Sequence, residues 1–293
     1  MKTLVARRLF KRKKLLCTVA GLAVAWLFVW YVLPWFFPGP EGLEHPEKPG
    51  AVVLDRDGGR IATLPGRDYY HCEPVPLRAV PEMLVKATLA AEDKRFYSHG
   101  GADFLALGRA VVTNAAGGEI VSGASTITQQ LAKNANPPGK RNLASKMREF
   151  FQARRLEMTM SKEEILEAYF NRLDYGNLRR GPAAAARFYF GRDMDHLSLA
   201  ECALLAGLPQ GPSRLNPLNY PDRALERRNR VLRRMKEEGM FPVEMLDRAL
   251  QEPLFSSGTE KRRQALAPHV TASFLRACRT GEVHTLSLIH ISE

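Results

Sequence analysis

The sequence predicts a mainly α protein standing behind one N-terminal transmembrane helix and a short β-hairpin. Three observations carry that reading. A basic run at the start is followed by a long uncharged apolar run, two β-branched segments flank an Asp-Gly-Gly turn, and apolar residues further on recur at helical spacing between capping signals. With 293 residues, 45% of them hydrophobic and 25% charged, the chain is long enough for a buried core and holds one large or two ordinary domains. The net charge of +12 and the isoelectric point near 9.7 point to a polyanionic partner, whether nucleic acid, phosphate groups or anionic lipid.

The position of the charge narrows that choice. Residues 1–14 carry Lys2, Arg7, Arg8, Lys11, Arg12, Lys13 and Lys14 with no acid, and residues 15–37, LLCTVAGLAVAWLFVWYVLPWFF, carry no charge. Twenty-three residues at about 1.5 Å each span roughly 30 Å of hydrocarbon with some tilt. A cleavable signal has a shorter apolar region and a small-residue site, whereas this run ends in Trp35, Phe36, Phe37 and Pro38. Trp26, Trp30, Tyr31 and Trp35 suit the outer interface, and the positive-inside rule leaves 1–14 cytoplasmic and the rest outside. The competing reading is a nucleic-acid arm beside a buried helix.

Residues 38–50 form a proline- and glycine-rich linker, and 51–75 open with AVVLDRDGGRIATL, a hairpin signal centred on Asp57-Gly58-Gly59. From 76 to 250 the character is helical. Pro81 opens a helix through Met83, Leu84, Ala87 and Ala91, and Leu143, Met147, Phe150 and Phe151 make a second stripe. Thr126 with Gln129, Ser161 with Glu164 and Ser198 with Glu201 each fit the capping box. A basic helix over 224–238 stops at Gly239, and a shorter one begins near Pro242. Residues 251–283 read as the start of a linker toward a missing domain, and 284–293, HTLSLIHISE, as a non-native tail. Cys17, Cys72, Cys202 and Cys278 show neither CxxC nor metal-ligand spacing, which argues against a disulfide framework.

Candidate chemistry lies at two acidic positions. Glu92 and Asp93 end an apolar helix just before the His99-Gly100-Gly101 turn, and Glu149 sits in an apolar-striped helix near Lys146 and Arg148. Two carboxylates in unlike surroundings are the usual apparatus of glycosyl transfer, one poised as acid or base and the other kept ionised by cations. The same residues also read as ordinary surface: a solvated helix end, and an i,i+3 pair of Lys146 with Glu149 worth roughly a few tenths of a kcal/mol. His99 reads as a structural turn residue. In GASTITQQLAKN, residues 123–134, the Thr126 cap leaves Ser125, Gln130 and Lys133 without a local explanation.

EDKRFYSHGG, GASTITQQLAKN, KMREFFQARRLE, SKEEILEAYFN and RRNRVL stand in the order and spacing of the five motifs of the peptidoglycan glycosyltransferases, glycosyltransferase family 51. Over residues 76–238 the chain resembles that domain of class A penicillin-binding proteins and monofunctional transglycosylases. The run LAGLPQGPSRLNPLNYPDRALERRNRVL is most similar to the penicillin-binding protein 1C branch. The resemblance implies a lysozyme-like glycosyltransferase domain that polymerises lipid II. Glu92 is then the general base on the acceptor's 4-hydroxyl, and Glu149, 57 positions on, assists at the donor pyrophosphate. Gly123, Ser125, Gln130, Lys133, Arg141 and Arg148 match positions that contact the donor sugar and its phosphates.

No cofactor is implied as obligatory, a divalent cation (Mg²⁺ or Mn²⁺) at Glu149 is admitted, and metal ligands are unassigned. One departure stands out: the family's third motif begins Arg-Lys, and here it is Ser145-Lys146. The expected location is the bacterial inner membrane, single-pass, with the domain on the periplasmic face. Expected partners are lipid II, the growing glycan strand and a cell-wall synthesis complex, with no nucleic acid. Phe104, Leu105, Leu107, Val111 and Val112 are either an apolar face dipping into lipid or ordinary core. The loop AAGGEIVSGAS is glycine-rich enough to move during successive rounds of transfer. The residues given hold no Ser-x-x-Lys, Ser-x-Asn or Lys-Thr-Gly motif, so no transpeptidase activity is expected of them. Two rivals remain open: a lytic transglycosylase or muramidase that cuts glycan, and a non-enzymatic basic membrane scaffold.

Overall fold

The computed structural model describes residues 2–43, 52–54, 60–63, 65, 69–108, 125–136, 139 and 142–255, with the backbone alone for 2–13, 52–54 and 60–63. Helix α1 (Lys2–Leu27) takes in the basic segment as well as most of the apolar run. It passes into a π-helical turn, Phe28–Val32, and a 3₁₀ turn, Leu33–Phe36. Pro34 explains the break, since a proline gives no N–H to the carbonyl four residues back and its ring crowds that carbonyl. The stretch Lys14–Phe36 is long and apolar enough to cross a membrane, one residue earlier at each end than the sequence reading of 15–37.

Strands β1 (Val52–Leu54) and β2 (Arg60–Thr63) pair antiparallel, as the hairpin signal predicts, with an irregularity between Val53 and Leu54. The Asp57-Gly58-Gly59 turn lies outside the described residues. A second pairing was not foreseen: β3 (His71–Cys72) runs parallel to β4 (Arg179–Arg180), tying the entry of the domain to a loop a hundred residues on.

Everything else that positions the site is helical. Helix α2 (Glu82–Glu92) is followed by α3 (Ile127–Ala135), α4 (Leu143–Thr159), α5 (Lys162–Arg172), α6 (Pro182–Phe190), α7 (Leu199–Gly207), α8 (Pro221–Glu237) and α9 (Met245–Gln251). The three predicted capping boxes are all formed, at Thr126, Ser161 and Ser198, and a fourth joins Asn142 to Ser145. Helix α7 is the hub. Its apolar length, LAECALLAG, is buried throughout all but its first residue, with α2, α8 and α9 packed around it, because a helix apolar all round has no face to give to water. Leu84, Leu131, Tyr169, Leu205 and Val231 fill the shared core. Cys17 is exposed, Cys72 and Cys202 are buried, and all three are free thiols; Cys278 lies outside the described residues.

Candidate active site

Glu92 is the last residue of α2, where the helix stops and Asp93 turns away in a non-helical conformation. The two neighbouring carboxylates part company there. Asp93 is buried and structural: its Oδ2 accepts from the Ile127 amide at 3.0 Å, and both its oxygens lie 3.0 Å from His99 Nε2. His99 Nδ1 accepts from the Gly101 amide at 3.3 Å, so the proton of a neutral ring sits on Nε2 and is donated to Asp93. The Thr126 hydroxyl, besides capping α3, donates to the Gly101 carbonyl at 2.8 Å. This network welds the start of α3 to the end of α2, and His99 serves the turn, as expected.

Glu92, with its side chain 10% exposed, faces the other way. Its Oε2 accepts from Gln130 Nε2 on α3 at 2.8 Å, and its Oε1 accepts from Arg227 on α8 at 3.3 Å. The Tyr169 hydroxyl on α5 donates to Gln130 Oε1 at 3.2 Å, which fixes the amide so that its NH₂ must point at the carboxylate. Burial, and after it the charge of Glu92, pushes the Tyr169 phenol well above its ordinary range and keeps it a donor. Burial likewise lowers the Arg227 pKa, an effect opposed by Glu92 and deepened by Arg234, Arg230 and Arg214 around it. Four helices thus converge on one carboxylate, each oxygen of which keeps a second lone pair for an incoming hydroxyl.

Gln130 also lines a cleft of about 380 Å³ together with Lys133, Asn134, Arg172, Leu173, Asp174, Arg180, Pro209 and Pro212. Three cations against one acid make it a site for an anion. Its far wall is the loop 174–180, folded back by three successive residues with positive φ, Gly176 (83°), Asn177 (52°) and Leu178 (58°). A leucine there costs on the order of 1 kcal/mol or more. The fold of this loop pairs the backbone of Arg180 with that of Asp174 in an isolated antiparallel β-bridge and sets the Arg180 guanidinium over the Tyr70 ring at 4.1 Å.

Of the sequence-predicted site residues, Glu92, Gln130 and Lys133 come together. Ser125 sits half-buried just before the Thr126 cap. Glu149 and Arg148 stand apart on α4, half-buried and exposed respectively. Contacts of Thr128 with Glu157 and of Asn136 with Gln152 show that α3 and α4 run antiparallel. Glu149, one turn before Gln152, therefore falls beyond the C-terminal end of α3, offset from Gln130 by on the order of 10 Å or more along the axis. No contact joins the two glutamates, and no ion pair joins Lys146 to Glu149. Gly123 and Arg141 lie outside the described residues, as do Val111 and Val112, whereas Phe104, Leu105 and Leu107 are 44–63% exposed and so are not core.

Sequence reasoning missed Arg172, Arg180 and the role of Arg227. Arg227 stood inside RRNRVL, but nothing local signals an ion pair with a residue 135 positions away; Arg180 lies in no motif. Ser145, the departure from the family pattern, is occupied as the cap partner of Asn142: its Oγ accepts from the Asn142 amide at 3.0 Å and its own amide donates to Asn142 Oδ1 at 2.8 Å. Among the described residues no three His, Cys, Asp or Glu side chains gather to hold a cation.

Comparison with known proteins follows the same residues. A family model described as transglycosylase matches residues 57–236. Penicillin-binding protein 1A of Aquifex aeolicus (strain VF5) is 40% identical over 248 residues, covering 83% of this chain and 34% of that protein. Penicillin-binding protein 1A of Neisseria lactamica is 41% identical over 217 residues, covering 74% of this chain and 27% of that one. The crystal structure of penicillin-binding protein 1A from Haemophilus influenzae is similar with a TM-score of 0.45 at 29% identity, over 81% of this chain and 25% of that chain. The chain spans about a third or less of the length of the curated relatives it matches. These relatives carry the 1A name; the 1C branch stays an expectation of the sequence.

Proposed function

The chain belongs to the transglycosylase family, and on that premise we propose that it is a peptidoglycan glycosyltransferase, anchored by its apolar helix with the helical domain outside the cytoplasmic membrane. The observation that carries the reading is the Glu92 carboxylate, nearly buried, held by Gln130 and Arg227, and joined through Gln130 to a cationic cleft. In this reading Glu92 takes the proton from the acceptor's 4-hydroxyl as that oxygen attacks the donor's anomeric carbon. The bond from that carbon to the pyrophosphate breaks in the same step, so the configuration inverts and no covalent enzyme intermediate forms. The departing polyprenyl pyrophosphate gains negative charge, which Lys133, Arg172 and Arg180 stabilise more in the transition state than in the ground state. Glu149, with Arg148, belongs to the donor side, and lipid II and the growing strand are the substrates.

The test is Glu92→Gln, which keeps size while removing the base and turning one acceptor oxygen into a donor. Detergent-solubilised protein given lipid II should make polymer, and the variant should lose about 10²-fold or more of that rate while its helical circular dichroism shows the fold retained. Purified sacculi supply the second arm. Soluble muropeptides without polymer would replace this reading with a glycan-cleaving one, neither product would leave a scaffold, and full polymerisation by the variant would remove Glu92 as the base.

A further inference from the structure

The segment that joins the apolar helix to the helical domain is bonded to that domain at four backbone carbonyls between residues 30 and 42. Pro34 has no N–H for the carbonyl of Trp30, and that carbonyl accepts instead from Arg154 Nε at 3.1 Å. The Phe37 carbonyl accepts from Arg155 Nη1 at 2.7 Å, that of Pro38 from Gln152 Nε2 at 2.9 Å, and that of Gly42 from Arg172 Nη2 at 2.7 Å. Rings reinforce the bonds: Arg154 lies 4.5 Å over Trp30, Arg155 5.2 Å over Trp35, and Phe37 stacks on Phe151 at 4.7 Å. At the far end Gly42 approaches α3 so closely that a Cβ would stand 2.5 Å from the Ala135 carbonyl oxygen. This is a backbone-to-backbone approach that only glycine permits.

We propose that residues 28–43 are a rigid strap that fixes the apolar helix to the cleft wall and so sets the height and tilt of the cleft over the bilayer. Arg154, Arg155, Gln152 and Gly42 are its positioning residues. The inference rests on the reading of the chain as a membrane-anchored enzyme whose lipid substrate lies at a fixed depth. A flexible linker over 38–50 would let the domain wander by roughly 20 Å, several times the tolerance of a reacting geometry. The strap removes that freedom for its first part, and it ends at Arg172, which also lines the cleft. Anchor and cleft therefore share a side chain.

Arg154→Gln and Arg155→Gln separate positioning from chemistry, since neither side chain lines the cleft or bonds a residue that does. In proteoliposomes, polymerisation of a full-length polyprenyl lipid II should fall about tenfold or more in each variant. With a short-chain, water-soluble lipid II analogue the rate should stay within about twofold of the unmodified chain. Spin labels at Leu22 and Glu244, with Cys17 and Cys278 changed to Ser, should give a narrow distance distribution that either substitution broadens. Equal loss on both substrates, no loss on either, or a broad distribution in the unmodified chain would overturn the strap. If the unmodified chain polymerises neither substrate, the glycosyltransferase reading fails on its own, while a narrow distribution broadened by Arg154→Gln would still uphold the strap.

Discussion

The two glutamates singled out by the sequence live in opposite surroundings. Glu92 is held by side chains from α3 and α8, with α5 locking one of those partners in place. Glu149 makes no side-chain bond to any described residue, and Lys146, Met147 and Arg148 around it are exposed. The first half of the site is preorganised by the core; the second is a displayed surface on the exposed start of α4. A base must meet its proton at a fixed distance, so its partners are built into the fold. Glu149, which in the proposed reading helps to grip a mobile polyprenyl pyrophosphate, can complete its surroundings with the ligand itself.

The sharpest way to break the contrast is to unmake the packed half. Arg227→Met should cost about 3 kcal/mol or more of stability, because the Glu92 charge is left nearly buried with a single amide for a partner. Polymerisation should fall by about 10²-fold or more. Chemical denaturation and a lipid II assay read the two losses. A variant as stable as the parent would show that the ion pair at 3.3 Å contributes little and that Glu92 is not preorganised by it.

Glu149→Gln probes the displayed half and should behave differently. With no intramolecular partner to lose, it should leave stability within about 0.5 kcal/mol of the parent. Activity should still drop by about tenfold or more, through a KM for the donor as well as through kcat. A large loss of stability would mean that the N-terminal half of α4 is structural and that the contrast is false.

Local chemistry was legible in the sequence and long-range chemistry was not. Thr126-Gln129, Ser161-Glu164 and Ser198-Glu201 each speak within four residues, and each capping box is formed as read. The membrane-length apolar run and the β1–β2 pair are likewise local signals. What escaped joins residues far apart: Arg227 to Glu92, Arg172 to Gly42, and β3 to β4. An arginine's reach depends on which helix packs beside it, and neither spacing nor periodicity encodes that. The bonds of the linker's first residues were equally illegible, for the same reason. Within the described residues 38–43 of that segment, Gly39 precedes and Gly42 lies inside a short 3₁₀ turn at Glu41–Leu43 whose fixed position comes from donors on α4 and α5.

Ser145 yields the smallest effect and the finest division between the two halves. It stands where the family pattern has arginine, and its hydroxyl accepts from the Asn142 amide while Asn142 caps the helix in return. Ser145→Ala removes only the hydroxyl's part of this box, so the expected cost is about 0.5 kcal/mol, confined to the first turn of α4. Hydrogen exchange at the amides of residues 143–147 should quicken by a factor of about two, while that of α3 and α2 stays unchanged. Ser145→Arg loses the same hydroxyl and adds a cation to the displayed surface, so it should lower the KM for the donor if this surface grips pyrophosphate. Were Ser145→Arg to leave that KM unchanged while Ser145→Ala slowed the reaction, the order of the first turn of α4 would matter more than its charge, and the displayed half would be preorganised after all.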